Sequence, residues 1–255
     1  MVETKCIHVD RAGAHVATAD VFSQGDVRPT NILMSSSLID GTPSVLTGAM
    51  RGSIPTYEIP SVLTGTTGPL QVSALGDTCA MFNFMSPVCA ASLGLKVDTT
   101  ASKVVTVGSG ARLQTAGVVE TQYHFQGEPE STYSLMFHIL PNAVQHLILG
   151  RTFLKLTRTY TTRANFLTRV KKTVMNTLRQ HRLLYLGDNA PKFLGRLNGT
   201  FVDALADTGS NVLIMDEAYA HEHGLLIKRG RQYRTRLLFA DGTTKMTSGV
   251  TSKVR

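Results

Sequence analysis

The chain has 255 residues and a formal net charge of +8, from 26 Lys and Arg side chains against 18 Asp and Glu. A charged fraction of 17% beside 42% apolar residues excludes a wholly disordered chain, and the length is enough for one or two domains with their own cores. Three cysteines are a poor basis for a disulfide scaffold. No stretch is typical of a signal peptide or a membrane span. We therefore expect an intracellular protein, cytoplasmic or nuclear, that does not bind membranes.

The first 52 residues show no sustained hydrophobic period. Several Gly and Pro residues and a run of three serines interrupt them. Because such residues favour turns and irregular backbone, this stretch is predicted to be a disordered leader over residues 1–52.

An internal repeat follows the leader. Residues 71–97 match residues 201–227 at a constant shift of 130, and a later stretch matches at a shift of 132. Each copy begins with an apolar strand that ends at an Asp, continues through a second apolar segment and a short helix, and reaches a hairpin with Gly at its tip. The pairs include Val72 and Val202, Asp77 and Asp207, Thr78 and Thr208, Gly94 and Gly224, and Gly110 and Gly242. The sequence therefore predicts two mainly β units, over residues 53–157 and 191–255.

The basic charge is concentrated between these two copies. Residues 1–150 hold 7 basic and 11 acidic side chains, a net of −4, whereas residues 151–196 hold 11 basic and one acidic, a net of +10. Apolar residues recur every four positions there, which predicts an amphipathic basic α-helix from about Thr162 to Leu186 within a linker over residues 158–190. A basic helix of this kind also suggests that the protein could bind DNA or RNA. The segment has no interleaved aromatic residues and no metal-binding knuckle, so a linker with a solvated basic face is favoured over nucleic-acid binding.

The Asp at the end of each first strand indicates a kind of chemistry. A carboxylate in a tight loop of small residues receives hydrogen bonds from nearby backbone N–H groups, and the following Thr can bond to backbone in a facing copy. One carboxylate is not enough for peptide hydrolysis. Two that share a proton titrate apart, so that one acts as general base on a water while the other, protonated, polarises the carbonyl.

The loop ALADTGSNVLI, residues 204–214, resembles the active-site loop of retroviral-type aspartic proteases, the retropepsins, and residues 237–250 resemble the flap hairpin of that family. The first copy, DTCAMFNFMS at residues 77–86, looks like the related loop of long-terminal-repeat retroelements. Residues 137–154 are similar to the closing strand and helix of the family. The resemblance implies a mainly β fold of retropepsin-like acid-protease β-barrel units joined by the basic helix. It also implies an aspartic-type endopeptidase that acts on a peptide or protein substrate and has no cofactor except water.

The same resemblance implies roles for particular residues. The expected catalytic residues are Asp207 and Asp77. The expected active-site loop residues are Thr208, Gly209, Ser210, Thr78 and Cys79, and the expected flap residues are Asp241, Gly242 and Gly110. No residue set has the spacing of a metal site.

Two departures from the family pattern leave alternatives open. Cys79 stands where the family has Gly, which favours degeneration of the first copy. Gly150 follows Gly117 by 33 residues, and the same interval after Gly249 predicts a closing glycine near position 282, so the second copy is expected to be C-terminally incomplete. The partner of Asp207 is either Asp77 in the same chain or Asp207 of a second chain in a homodimer. The rival function is a non-catalytic dimerisation or interaction module, a domesticated or decaying retroelement protease remnant.

Overall fold

The computed structural model describes residues 6–9, 54–175, 181–187, 192–197 and 199–251. We refer to residues 54–175 as the first half and to residues 181–251 as the second half. Strand β1 (Cys6–Val9) precedes both. The first half contains β2 (Ile54–Gly65), β3 (Gly68–Asp77), β4 (Phe84–Met85), α1 (Pro87–Ser92), β5 (Val104–Thr106), β6 (Arg112–Gln114), β7 (Val118–Phe125), β8 (Tyr133–Ile139), β9 (Leu147–Gly150), α2 (Arg151–Leu156), α3 (Arg163–Arg169) and β10 (Lys171–Met175). The second half contains β11 (His181–Leu183), β12 (Lys192–Leu197), β13 (Thr200–Leu205), β14 (Leu213–Asp216), α4 (Glu217–Glu222), β15 (Ile227–Lys228), β16 (Arg236–Phe239), β17 (Thr244–Met246) and β18 (Gly249–Thr251).

The first half is a closed β-barrel. Its strands are hydrogen-bonded in the order β2, β3, β9, β4, β8 and β7, and β7 pairs back with β2. Alternate side chains of β7 are buried, as expected for a strand with one face toward a core. Tyr123, Phe125 and Phe153 pack against one another inside the barrel, and the Tyr123 hydroxyl lies 2.9 Å from Ser61 Oγ. The prediction of a mainly β fold with a β-barrel is confirmed.

The second half contains smaller sheets whose elements parallel those of the first. Helix α4 lies 130 positions after α1, and β14 covers the positions that correspond to β4. Both helices begin with a side-chain cap: Ser86 Oγ accepts from the Cys89 N–H at 3.1 Å, and Asp216 Oδ1 accepts from the Tyr219 N–H at 3.1 Å. Local capping chemistry therefore starts a helix at the same point of both repeats.

The predicted long helix from Thr162 to Leu186 is wrong. Helix α3 ends at Arg169, because Val170 is already extended with φ −104° and ψ 123°. The chain continues as β10, which pairs antiparallel with β2, and returns as β11, which pairs in parallel with β16. An open sheet edge supplies hydrogen bonds to a whole strand, and this tertiary contact overrides a helical period in a segment that includes the β-branched Thr173 and Val174.

Part of the basic charge is used inside the protein. The Arg169 guanidinium makes two bonds to the Glu128 carboxylate, at 2.6 and 2.7 Å, and donates to the Thr157 carbonyl at 2.7 Å. Its carbon Cζ lies 4.1 Å from the centre of the Phe125 ring. This residue joins α3 to the barrel, so it is not part of a solvated basic face.

Strand β1 corrects the expectation of a leader without structure over residues 1–52. It lies between β14 and β18, parallel to the first and antiparallel to the second. The rest of the predicted leader, residues 1–5 and 10–52, lies outside the described residues. Within the part of the chain that is described, every helix is too short or too polar to cross a lipid bilayer.

Candidate active site

Two loops bring Asp77 and Asp207 together. Strand β3 ends at Asp77, held in parallel register with Gly150 of β9, and β13 leads into the loop that carries Asp207. One carboxylate oxygen of each Asp and the Cys79 sulfur all lie within 4.8 Å of one another. The structure therefore places both predicted carboxylates of the same chain at one point.

Thr78 and Thr208 lock the two loops by reciprocal hydrogen bonds. The Thr78 N–H donates to Thr208 Oγ1 at 3.0 Å, and the Thr208 N–H donates to Thr78 Oγ1 at 3.1 Å. Each hydroxyl in turn donates to the carbonyl that precedes the opposite Asp: Thr208 to Gly76 at 2.7 Å, and Thr78 to Ala206. Because each Thr side chain satisfies two backbone groups of the facing loop, these four hydrogen bonds form only when both loops are in place.

One carboxylate oxygen of each Asp, Oδ1, accepts a hydrogen bond from the backbone of its own loop; we call it the inner oxygen, and Oδ2 the outer oxygen. Asp77 Oδ1 accepts from the Cys79 N–H at 2.8 Å, and Asp207 Oδ1 accepts from the Gly209 N–H at 2.9 Å. The outer oxygens, Asp77 Oδ2 and Asp207 Oδ2, are buried and have no hydrogen-bonding partner among the described residues. Asp207 as a whole residue is partly exposed, but its Oδ2 atom is not. A proton held between two such oxygens satisfies both.

Burial raises the pKa of both carboxyl groups. Burial is the main cause for Asp77, whose pKa lies well above its ordinary value of 3.8, and the charge of Asp207 adds to it. Burial also raises the pKa of Asp207, to about 6, although hydrogen bonds from Asp77, Gly209 and Ser210 oppose the shift. The pair therefore retains a proton at a pH where an ordinary Asp is ionised.

This retained proton predicts a pH dependence of stability. Both folded-state pKa values are raised, so above the unfolded value of 3.8 the folded chain binds more protons than the unfolded chain. The free energy of unfolding should then fall as pH rises through about 6, by up to about 1.4 kcal/mol per pH unit for each extra proton. Urea unfolding at several pH values, compared with the double variant Asp77→Asn/Asp207→Asn, measures it. A stability difference between the two proteins that does not change with pH would contradict the shared proton.

The third loop position differs between the two halves. A Cβ at Gly209 would lie 2.8 Å from Asp77 Cγ and 3.2 Å from Asp207 Oδ1, so only Gly fits between the carboxylates there. At the matching position the Cys79 N–H still bonds to its Asp, and its side chain is buried in a cluster with Leu183 and Tyr185. The sulfur is accommodated in a hydrophobic cluster without loss of the backbone hydrogen bond.

The surroundings of the Cys79 thiol disfavour its thiolate form. Burial, and then the charges of Asp207 and Asp77, raise its pKa far above the ordinary value. Cysteine attacks and binds metals as the thiolate. Among the described residues, Asp77, Cys79 and Asp207 form the one group of three potential metal ligands.

The predicted flap residues lie at the tips of two hairpins. Gly110 turns between β5 and β6 with φ +83°, and Gly242 turns between β16 and β17 with φ +79°. Asp241 Oδ1 accepts bonds from the N–H and hydroxyl of Thr243, so this carboxylate stabilises the turn. Inward-facing residues of the hairpins pack beside the two loops: Val105 in a cluster with Leu75 and Ala80, and Phe239 in a cluster with Cys79 and Leu205.

Sequence reasoning missed two supports of the loops. The hydroxyl of the partly buried Tyr160 donates to the Gly76 carbonyl at 3.2 Å, and the nearby charge of Asp77 adds to desolvation in raising the pKa of this Tyr. Ser210 Oγ donates to the Arg182 carbonyl at 3.1 Å, and Asn211 Oδ1 accepts from the Arg182 N–H at 2.7 Å. No local pattern could have indicated these contacts, because each joins residues 28 or more positions apart.

Comparisons with known proteins give a match among solved structures. No protein-family model matches the chain, and no curated protein matches it. Among solved structures, it is similar to the retroviral protease-like domain of Ddi1 from Leishmania major, with 19% sequence identity and a TM-score of 0.31 over 40% of this chain and 78% of that one.

Proposed function

We propose that this protein is an aspartic-type endopeptidase with two retropepsin-like units in one chain, and that Asp77 and Asp207 form its catalytic pair. The observation that carries the proposal is the pair itself: two carboxyl groups from repeated loops, joined by reciprocal Thr bonds, with raised pKa values. The recurrence of the capped helix and the Gly-tipped hairpin at matching positions supports two units.

In this mechanism the two carboxyl groups have different roles. The ionised carboxyl takes a proton from a water molecule as the water attacks the scissile carbonyl carbon, and the protonated carboxyl donates to the carbonyl oxygen. The inner oxygens stay bonded to the N–H groups of Cys79 and Gly209. The outer oxygens are therefore the ones left to exchange protons with the water and the substrate. The hairpins around Gly110 and Gly242 would cover an extended peptide and pair with its backbone.

The test is cleavage of an unfolded protein by the purified chain across acidic and neutral pH. We expect cleavage to become faster as the pH rises through about 6, where Asp207 ionises while Asp77 keeps its proton, and to be lost in the Asp207→Asn variant. Cleavage that survives Asp207→Asn would refute the proposal. Mass spectrometry of the products identifies the cleaved bonds and excludes exopeptidase contamination.

A second candidate function is a non-catalytic dimerisation or interaction module derived from a retroelement protease. The observation in its favour is the closed state of the site: the outer oxygens of both Asp residues are buried, and the Cys79 sulfur lies within 4.8 Å of both carboxylates. Absence of cleavage by a folded chain that self-associates, measured by sedimentation in the same buffers, would select this function.

A further inference from the structure

The second half of the fold has a place between β14 and β18 where a strand from elsewhere in the chain is inserted. In the first half, β8 lies between β4 and β7, parallel to β4 and antiparallel to β7. In the second half, β1 lies between β14 and β18, again parallel to the first and antiparallel to the second. The order and directions of the three strands are therefore the same, although β1 comes from the N-terminal side.

The register of β1 against its two neighbours also agrees with the register of β8 against its own two neighbours. His138 of β8 is opposite Phe84 and Val118. Ile7 of β1 is opposite Ile214 and Val250, which are the repeat counterparts of Phe84 and Val118 at shifts of 130 and 132. A slip of one residue would put every side chain of β1 on the opposite face. Both pairings therefore give Ile7 the position in the second half that His138 has in the first half.

The sequence supports the same alignment beyond the strand. The shift from Ile7 to His138 is 138 − 7 = 131. At this shift Ala12, His15 and Phe22 are identical to Ala143, His146 and Phe153. These three N-terminal residues lie outside the described residues, so the agreement is one of sequence.

We propose that the N-terminal strand β1 is a permanent part of the second half, the counterpart of β8, and that the groove between β14 and β18 is built to bind it from the same chain. Among the described residues, β1 is the one strand paired with β14. It also joins β14 to β18, which do not pair with each other.

The strand has a direct effect on the loop of Asp207. That loop continues through Asn211 and Val212 into β14, whose Ile214 packs in the same cluster as Cys79 and Leu205. If β1 is absent, β14 keeps its side-chain packing but loses its backbone partners, which makes it a local unfolding site. The N-terminal segment is thus a positioning element for the second loop.

The test uses the full chain with Ile7→Pro, because Pro removes the N–H at the centre of the strand and is disfavoured between two neighbours. Val2→Pro, before the strand, is the matched control. We expect backbone amides of β14 and β18 to exchange with deuterium about tenfold or more faster in Ile7→Pro only, while β4 in the first half is unchanged. A synthetic peptide of residues 1–12 should restore protection at about millimolar concentration, since tethering a segment provides that effective concentration.

Other results would overturn the proposal. Unchanged exchange at β14 in Ile7→Pro and in a variant without residues 1–9 would mean that the groove does not need the strand. If the truncated chain does not fold, Ile7→Pro and the peptide decide the matter. A dimer that becomes monomeric in Ile7→Pro, seen by sedimentation, would show that a second copy donates the strand. The readout is amide exchange, so the result does not depend on peptidase activity.

Discussion

The Asp77→Asn variant is expected to cleave an unfolded protein roughly 10²–10⁴-fold more slowly than the unchanged chain, the usual contribution of a positioned acid or base. The reason is that Asp77 and Asp207 of one chain already form the pair: their carboxylate oxygens lie within 4.8 Å. Asn keeps the size of the side chain and can still accept the Cys79 N–H bond, so the loop should fold normally. Steady-state rates at a pH above the pKa of Asp207, which is about 6, measure the effect, with circular dichroism to check folding.

This variant also separates the two sources of the second carboxylate. A homodimer built from two copies of Asp207 would not use Asp77, so Asp77→Asn would retain its rate and mixing it with Asp207→Asn would give intermediate activity. The control is Asp203→Asn, on the same strand that leads to Asp207. Its side chain is 64% exposed and lies 3.8 Å from Lys192, so we expect a stability change within about 0.5 kcal/mol and an unchanged rate.

The Thr208→Val variant is expected to lower the free energy of unfolding by roughly 2 kcal/mol, because a partly buried donor that loses its acceptor costs about 1–3 kcal/mol. That donor is the Thr78 N–H, which bonds to Thr208 Oγ1, whereas the Gly76 carbonyl loses the Thr208 hydroxyl but keeps that of Tyr160. Val has nearly the same shape as Thr but no hydroxyl. Urea unfolding at a pH where the pair is protonated gives the difference.

The matched control for this change is Thr208→Ser, which retains the hydroxyl and loses one methyl group. We expect it to lose only about 1 kcal/mol, the value of a buried methyl or methylene group. Equal losses in the Val and Ser variants would mean that packing, rather than the reciprocal hydrogen bonds, holds the loops. Thr78→Val should act like Thr208→Val, and the double variant should cost less than the sum, because both changes break the same network.

The loops and the local elements around them could be read from the sequence because their signals are local. Asp77 and Asp207 follow apolar strands, Ser86 and Asp216 cap helices at equal positions, and glycines turn the hairpins. The register of such segments follows from alternation, capping and turn chemistry within a few residues. The sequence repeat also predicts that Asp207 pairs with another Asp. It does not decide whether the partner is Asp77 of the same chain or Asp207 of a second chain.

The basic segment shows where this reasoning fails. The fourfold spacing of apolar residues after Thr162 predicts a helix, yet residues 171–175 pair with β2 and residues 181–183 pair with β16. The β2 edge lies more than 100 positions away in the sequence and β16 lies 56 positions away, so no window of local sequence contains either partner. One basic residue of this segment also lies away from the solvent, because Arg169 is paired with Glu128 across 41 positions.

The sequence by itself determined which residues we propose for the chemistry: two Asp-Thr loops, their glycine and cysteine neighbours, and the Gly-tipped hairpins. Tertiary structure alone decided how these parts are completed. Tyr160 and Arg182 support the loops from distant segments, and β1 enters a groove more than 200 positions away in the chain. The physical reason is that backbone hydrogen bonding between strands is nearly independent of side-chain identity. A four-residue strand therefore has little sequence signature of its own, and its partner is selected by the open edges that the folded chain presents.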